Sequence, residues 1–239
     1  MPNYAMPGKE LRKLWSEWID LYSVLSTAKS NKLQTPAAPF FSACSSVKSK
    51  SRVMLVGKAT AGDWCLKEYQ GSIKKSRAAV IRDRMQHNRW VVQHENNQSP
   101  FWKFADRLAS FNGELDRDSI IWSNICKIGS RVRNPKGLLL SAQADLAERT
   151  LRAEIKEYKP KVVIFVTGSD DFMDRILMRT VGVPIGSWVR SEKHDSSAKV
   201  HGVWWTDKKP IALWTRHPQG AKAHEIEYWV EKLRELGKL

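Results

Sequence analysis

Apolar and polar positions along this chain follow two periods. From Gly8 to Ser26, Leu11, Leu14, Trp15, Trp18, Ile19, Tyr22 and Leu25 recur at helical spacing, with Lys9, Arg12, Lys13 and Glu17 on the other side. That pattern predicts an amphipathic helix with a buried stripe. Further on come four short, nearly unbroken apolar runs, Val53–Val56, Ser119–Ser123, Val162–Val166 and Ile211–Trp214. Runs of this kind predict strands covered on both faces, as in a parallel sheet. Between and after them, Lys74–Val92, a segment opening at Ser99-Pro100, Ala142–Tyr158 and Lys222–Leu236 read as helices. Pro100 suits a first helical turn, and Lys159-Pro160 stops the helix before it. Asp170–Val181 reads as a short helix, Pro184–Lys199 as a loop and Val200–Thr206 as an extra strand. Strands alternating with helices predict an α/β fold, its mainly parallel sheet covered on both faces. Lys29–Ser51, rich in Ser, Lys, Pro and Ala, reads as a connector. The chain therefore divides into an N-terminal helix and connector over 1–51 and an α/β domain over 52–239.

Chemistry gathers where the strands stop. The first run ends at Gly57 and continues through small residues, Lys58-Ala59-Thr60-Ala61-Gly62, to Asp63. Small side chains let a backbone approach a ligand and leave a hollow above the strand's carboxyl end, where ligands of open α/β sheets bind. The second run ends at Asn124, and the fourth leads into Thr215-Arg216-His217-Pro218-Gln219-Gly220. An Asn or His after a strand is usually a turn former or a structural hydrogen-bonding residue. Three such ends on one sheet edge, beside basic loops, point instead to a site. The spacing that follows Gly57-Lys58 is not that of a phosphate-cradling glycine loop, and no Ser/His/Asp pattern, HxxxH or Cys/His grouping stands out. No cofactor or metal is expected.

Charge narrows the partner. Lys and Arg number 40 against 25 Asp and Glu, a net charge of +15. Such an excess repels itself and makes sense against a polyanion, nucleic acid first and an anionic membrane surface second. Part of it lies in the basic loop of Lys127, Arg131, Arg133 and Lys136. Three scattered cysteines, Cys44, Cys65 and Cys126, argue against a disulfide framework and for a reducing compartment. With no apolar signal core at Met1-Pro2-Asn3-Tyr4 and no run long enough to span a bilayer, a cytoplasmic protein is expected.

The order of these motifs from Arg52 onward resembles the uracil-DNA glycosylase superfamily. A Gly-led loop, Gly57-Lys58-Ala59-Thr60-Ala61-Gly62, follows strand one, and an aromatic, Phe101, lies downstream. Asn124 closes strand two, Lys159-Pro160 runs into an apolar strand that ends at Gly168, and His217-Pro218-Gln219-Gly220 closes the last strand. The resemblance implies a three-layer α/β/α sandwich around a central four-stranded, mainly parallel sheet. It implies that Phe101 stacks on a base flipped out of DNA, and that Gly57, Lys58, Ala59 and Ala61 line the base pocket. Asn124 would read the base edge, and His217 would donate to the base carbonyl that gathers charge as the glycosidic bond breaks. Lys127, Arg131, Arg133 and Arg216 would contact phosphates, with Gln219 on the loop that presses the DNA backbone.

The departures shape what is expected of activity. Ala59 stands where many members carry a water-activating Asp, and Thr60 where Pro is usual; Asp63 is the nearest substitute, its bland role being a helix cap or an ion-pair partner. The last motif lacks the usual Ser after Pro. Ala61 stands where uracil-specific relatives carry a Tyr that walls off C5 of the pyrimidine, so a 5-substituted base is expected to fit, such as the hydroxymethylated or glucosylated cytosine of phage DNA. A small residue there permits such a base without proving it. The expectation is a monofunctional, monomeric DNA glycosylase that leaves an abasic site, in repair or in antiviral defence. The alternatives are a uracil-excising repair glycosylase and a non-catalytic DNA-binding module on the same scaffold. A nuclease is disfavoured because no carboxylate cluster stands out to hold Mg²⁺.

Overall fold

The four apolar runs lie side by side. In the computed structural model, which describes residues 6–29, 33–42, 53–60, 75–94, 99–110, 120–132, 134–168, 175–177, 179–180, 182, 200–204 and 211–235, the strands in chain order are β1 Pro36–Pro39, β2 Val53–Gly57, β3 Ile120–Asn124, β4 Ile128–Ser130, β5 Val162–Phe165, β6 Val200–Trp204 and β7 Ile211–Thr215. The main sheet has the order β3-β2-β5-β7-β6. Its first four strands are parallel, and β6 closes the edge antiparallel to β7. Register is tight: Val53 pairs with Ile120 and Val162, and Gly57 lies opposite Asn124.

Helices α1 Lys9–Thr27, α2 Arg77–His94, α3 Pro100–Ser110, α4 Gly137–Ser141, α5 Ala144–Tyr158 and α6 Ala223–Glu235 complete the described elements, with a few helical residues at 175–177 and 179–180. Because side chains alternate along a strand, β2 sends Met54 and Val56 to one face and Val53 and Leu55 to the other. The first pair joins a core with α1 and α5, including Trp15, Trp18, Leu146 and Leu151. The second joins α3 and α6 through Trp102, Phe104, Leu108, Trp229 and Leu233. The architecture is thus the expected α/β/α sandwich, and the unbroken apolar runs record burial on both faces.

The N-terminal helix shares that core. Trp18 Nε1 donates to Thr150 Oγ1 of α5 at 2.8 Å, and Gly8 N–H donates to Glu157 at 2.8 Å. Surface pairs Arg149–Glu17 and Lys156–Glu10 run along the same seam. The connector holds an element that its sequence hides. Pro36–Pro39 pairs antiparallel with Ile128–Ser130 in a two-stranded ribbon, extended by Phe40 N–H to the Lys127 carbonyl at 2.7 Å. A strand with Pro at both ends can donate only from its middle, which confines it to a sheet edge. Among the described residues no helix is long and apolar enough to cross a membrane.

Candidate functional site

The carboxyl ends of β2, β3, β5 and β7 surround one cleft of about 860 Å³. Its wall takes Gly57, Lys58, Ala59 and Thr60 from the end of β2, Trp122 and Asn124 from β3, and Thr167 and Gly168 from the end of β5. Arg216, His217, Gln219 and Gly220 come from the end of β7, and Ser99, Phe101 and Trp102 from the start of α3. The parallel ladder continues past the strands to set this edge. Ile125 N–H donates to the Gly57 carbonyl at 2.9 Å, Cys126 N–H to the Lys58 carbonyl at 2.8 Å, and Gly168 N–H to the Thr215 carbonyl at 3.0 Å.

Asn124 is placed by a glycine. Its amide lies across Gly57, so closely that a Cβ there would sit 2.5 Å from Oδ1 and 3.6 Å from the Phe101 ring. Asn124 is buried, and its Nδ2 has no partner among the described residues. A buried donor left unpaired costs free energy, and one on a cleft wall is available to whatever enters. A second glycine, Gly129 of β4, makes room for the loop after β2, since a Cβ there would lie 2.0 Å from the Thr60 carbonyl oxygen.

His217 caps a short 3₁₀ turn, Pro218–Gly220, and its Nδ1 accepts from Gln219 N–H at 3.1 Å. An accepting Nδ1 carries no proton, so the neutral ring bears its proton on Nε2. Burial, and then the positive charge of Lys58, hold the His217 pKa below its ordinary value of 6.5. The side chain is therefore a neutral hydrogen-bond donor of fixed tautomer at neutral pH. Arg216 is tied to the buried carboxylate of Glu225, which also accepts from Lys222 N–H at 2.6 Å at the start of α6.

The sequence-predicted residues separate into three groups. Gly57, Lys58, Ala59, Phe101, Asn124, Arg216, His217 and Gln219 meet in the cleft. Ala61, Asp63 and Arg133 lie outside the described residues. Lys127 is a correction to its expected role at a phosphate. It is fully buried, donating to Ser123 Oγ at 2.7 Å and pairing with Glu154 at 2.7 Å. Ser42 Oγ donates to the same carboxylate at 2.6 Å. Burial pushes the Lys127 pKa down while Glu154 opposes the shift. A cation enclosed in this way holds the β3–β4 turn to α5 and cannot reach DNA. Arg131 is half-buried, close enough for its charge to act on the Tyr22 phenol, and is not among the described residues of the cleft wall.

Several wall residues carried weaker signals. Trp122 stands two positions before Asn124, so strand alternation places both on one side. Thr167-Gly168 is a fourth strand end, identifiable by the same rule as the other three. Thr60 belongs to the small-residue loop after β2 and Ser99 opens the helix that carries Phe101, whereas Asn134 had nothing in the sequence to single it out. Among its described residues the wall holds no Asp or Glu, and no group of three or more His, Cys, Asp or Glu among the described residues is placed to hold a metal ion. No family model and no curated protein sequence matches the chain.

Proposed function

We propose that this protein is a monofunctional DNA glycosylase that hydrolyses the N-glycosidic bond of a flipped, non-standard pyrimidine. The observation that carries the proposal is the cleft itself, where an aromatic ring, an unpartnered buried amide and a neutral histidine of fixed tautomer meet at one sheet edge. Phe101 offers a face for a base to stack on, and Asn124 an amide to hydrogen-bond its edge. As the C1′–N bond breaks, its electron pair passes to the base. His217 Nε2–H donates to the carbonyl oxygen that gathers this charge, and the Lys58 ammonium favours the same anion. Water adds to C1′ through its oxygen, and the proton it loses ends on the departing base anion, giving the neutral free base and an abasic site. A fixed donor of this kind is typically worth about 3–4 kcal/mol.

The size of the cleft falls within the usual ~300–1,000 Å³ of ligand sites, and in the sequence the small Ala61 stands where uracil-specific relatives carry a Tyr that walls off C5. We therefore favour a 5-substituted pyrimidine, such as hydroxymethylated or glucosylated cytosine, over uracil. A net charge of +15 suits a nucleic-acid partner. We further propose that the enzyme acts as a cytoplasmic monomer. The second candidate is a non-catalytic DNA-binding module, favoured by the lack of a carboxylate among the described wall residues.

The test is base release from duplexes and single strands carrying uracil, 5-hydroxymethylcytosine or its glucosylated form, followed by alkali cleavage. Release of a substituted base, cut about 10²–10³-fold by His217→Ala and comparably by Asn124→Ala, is expected. Binding without release from any of these DNAs would favour the module. Release from wild type that persists undiminished in both variants would show that the cleft has been misassigned.

A further inference from the structure

Cytosine has one carbonyl, at C2, so that is the oxygen His217 would meet. C5 lies directly across the six-membered ring from C2, and a group on C5 therefore points away from His217. His217 follows β7 and Asn124 ends β3, three strand positions apart in the order β3-β2-β5-β7, or about 14 Å at the usual ~4.8 Å spacing. Around the ring the edge runs from C2 through N3 and C4 to C5. With C2 at His217 and the N3–C4 edge at Asn124, the C5 group lies at the β3 end of the cleft.

That end is supplied by chain outside the main sheet. β4 begins three residues after β3 and lies against the loop after β2, where Gly129 makes room for the Thr60 carbonyl. Asn134, four residues beyond β4, is exposed and lines the cleft. Its backbone is held from the C-terminal side. Pro135 is buried and disfavours helical backbone in the residue before it, and Lys136 N–H donates to Gln34 Oε1 at 2.5 Å. Bond cleavage as described above makes no use of Asn134. Its carboxamide carries two N–H donors and an acceptor oxygen. A hydroxyl both donates and accepts, so the amide suits it in either direction, whereas a methyl group offers it nothing.

We propose that Asn134 is a specificity-determining residue that hydrogen-bonds the hydroxyls of a substituent on C5. The substrates are then cytosines whose C5 group carries hydroxyls, hydroxymethyl or hexosyl, and 5-methylcytosine is discriminated against. This rests on the glycosylase reading of the cleft and adds to it the side chain that selects the base. An enclosed polar group left unpaired would reject the methyl analogue by a very large factor. Asn134 is exposed and regains water instead, so the expected preference is about tenfold.

Two measurements test this with the full chain, as wild type, as Asn134→Leu, which keeps the shape of the side chain without its hydrogen bonds, and as Asn134→Gln, which keeps the amide. The first is kcat/KM for base release from DNA of one sequence carrying 5-methylcytosine, 5-hydroxymethylcytosine or its glucosylated form. Wild type should prefer the hydroxylated bases by about tenfold or more, Asn134→Leu should lose that preference, and Asn134→Gln should keep part of it. The second needs no catalysis. The same three bases on 2′-fluoroarabinose, where fluorine disfavours positive charge at C1′ and so blocks cleavage, should show the same ranking in Kd. A preference that persists in Asn134→Leu, an equal loss by Asn134→Leu on all three DNAs, or no preference in wild type would overturn the proposal. A binding preference that depends on residue 134, without release of any base, would keep the role of Asn134 and remove the glycosylase. Base release with no such preference would keep the glycosylase and remove the role of Asn134.

Discussion

Gly57→Ala tests the site through a single methyl group. Gly57 is not among the glycines with positive φ, so the strand backbone accepts alanine. The added Cβ would lie 2.5 Å from Asn124 Oδ1, whereas ordinary contact begins at 3.4 Å. The amide must therefore retreat by about 1 Å, a displacement that at a reacting centre costs about 10²-fold in rate. Phe101, 3.6 Å from the new carbon, can stay where it is. Stability should fall much less than activity, by about 1–3 kcal/mol for an overpacked site, because the obstructed atom ends a side chain and the pairing of Gly57 with Asn124 involves backbone. Single-turnover release is the assay, with urea unfolding and DNA binding as controls. If Gly57→Ala folds, binds DNA and still releases the base within a few-fold of the wild-type rate, the position of Asn124 does not govern the chemistry.

Lys58→Gln should move the acid limb of base release. Burial still keeps His217 below 6.5, but without the neighbouring charge its pKa rises toward that value, so activity that needs the neutral ring is lost at a higher pH as the solution is acidified. A limb at the same pH in both proteins would mean that His217 protonation does not set it. Lys127→Met should cost about 3–5 kcal/mol in urea unfolding by leaving Glu154 charged and buried, and Lys127→Met with Glu154→Leu should recover much of the loss; a single-variant cost below about 1 kcal/mol would deny that the pair is enclosed.

The sheet was legible because its signal is local. Val53–Val56 and Val162–Val166 are apolar at successive positions, and only a strand buried on both faces needs that. The ribbon of Pro36–Pro39 with Ile128–Ser130 was not, since its strand is bounded by prolines and its partner lies roughly ninety residues away. The helix expected over Ala142–Tyr158 is present as Ala144–Tyr158, but the short helix Gly137–Ser141 before it, separated by a break, was not expected. Gln143 makes the break: its side chain donates to the Leu139 carbonyl at 2.7 Å and accepts from Ile128 N–H at 3.0 Å. That side chain links the helix to β4, a tertiary requirement that no helical period records.

The site was legible to the extent that strand ends define it. In a parallel sheet all carboxyl ends share an edge, so a residue just past any strand is already placed near the others, which is why Gly57, Asn124 and His217 meet. Asn134 enters the same wall from the loop after β4, where no such rule applies. Lys127 shows the limit from the other side. In sequence it is one basic residue among Arg131, Arg133 and Lys136, indistinguishable from a phosphate contact. What separates it is Glu154, 27 residues on, whose carboxylate faces inward among the apolar positions of α5 and meets Lys127, Ser123 and Ser42. A buried acid on a helix is the rarer of the two signals, because an unpaired charge there would be too costly to keep. Glu154 would thus have been the better starting point: an acid in a core stripe predicts a buried cation, and the basic loop after β3 is where that cation had to be sought.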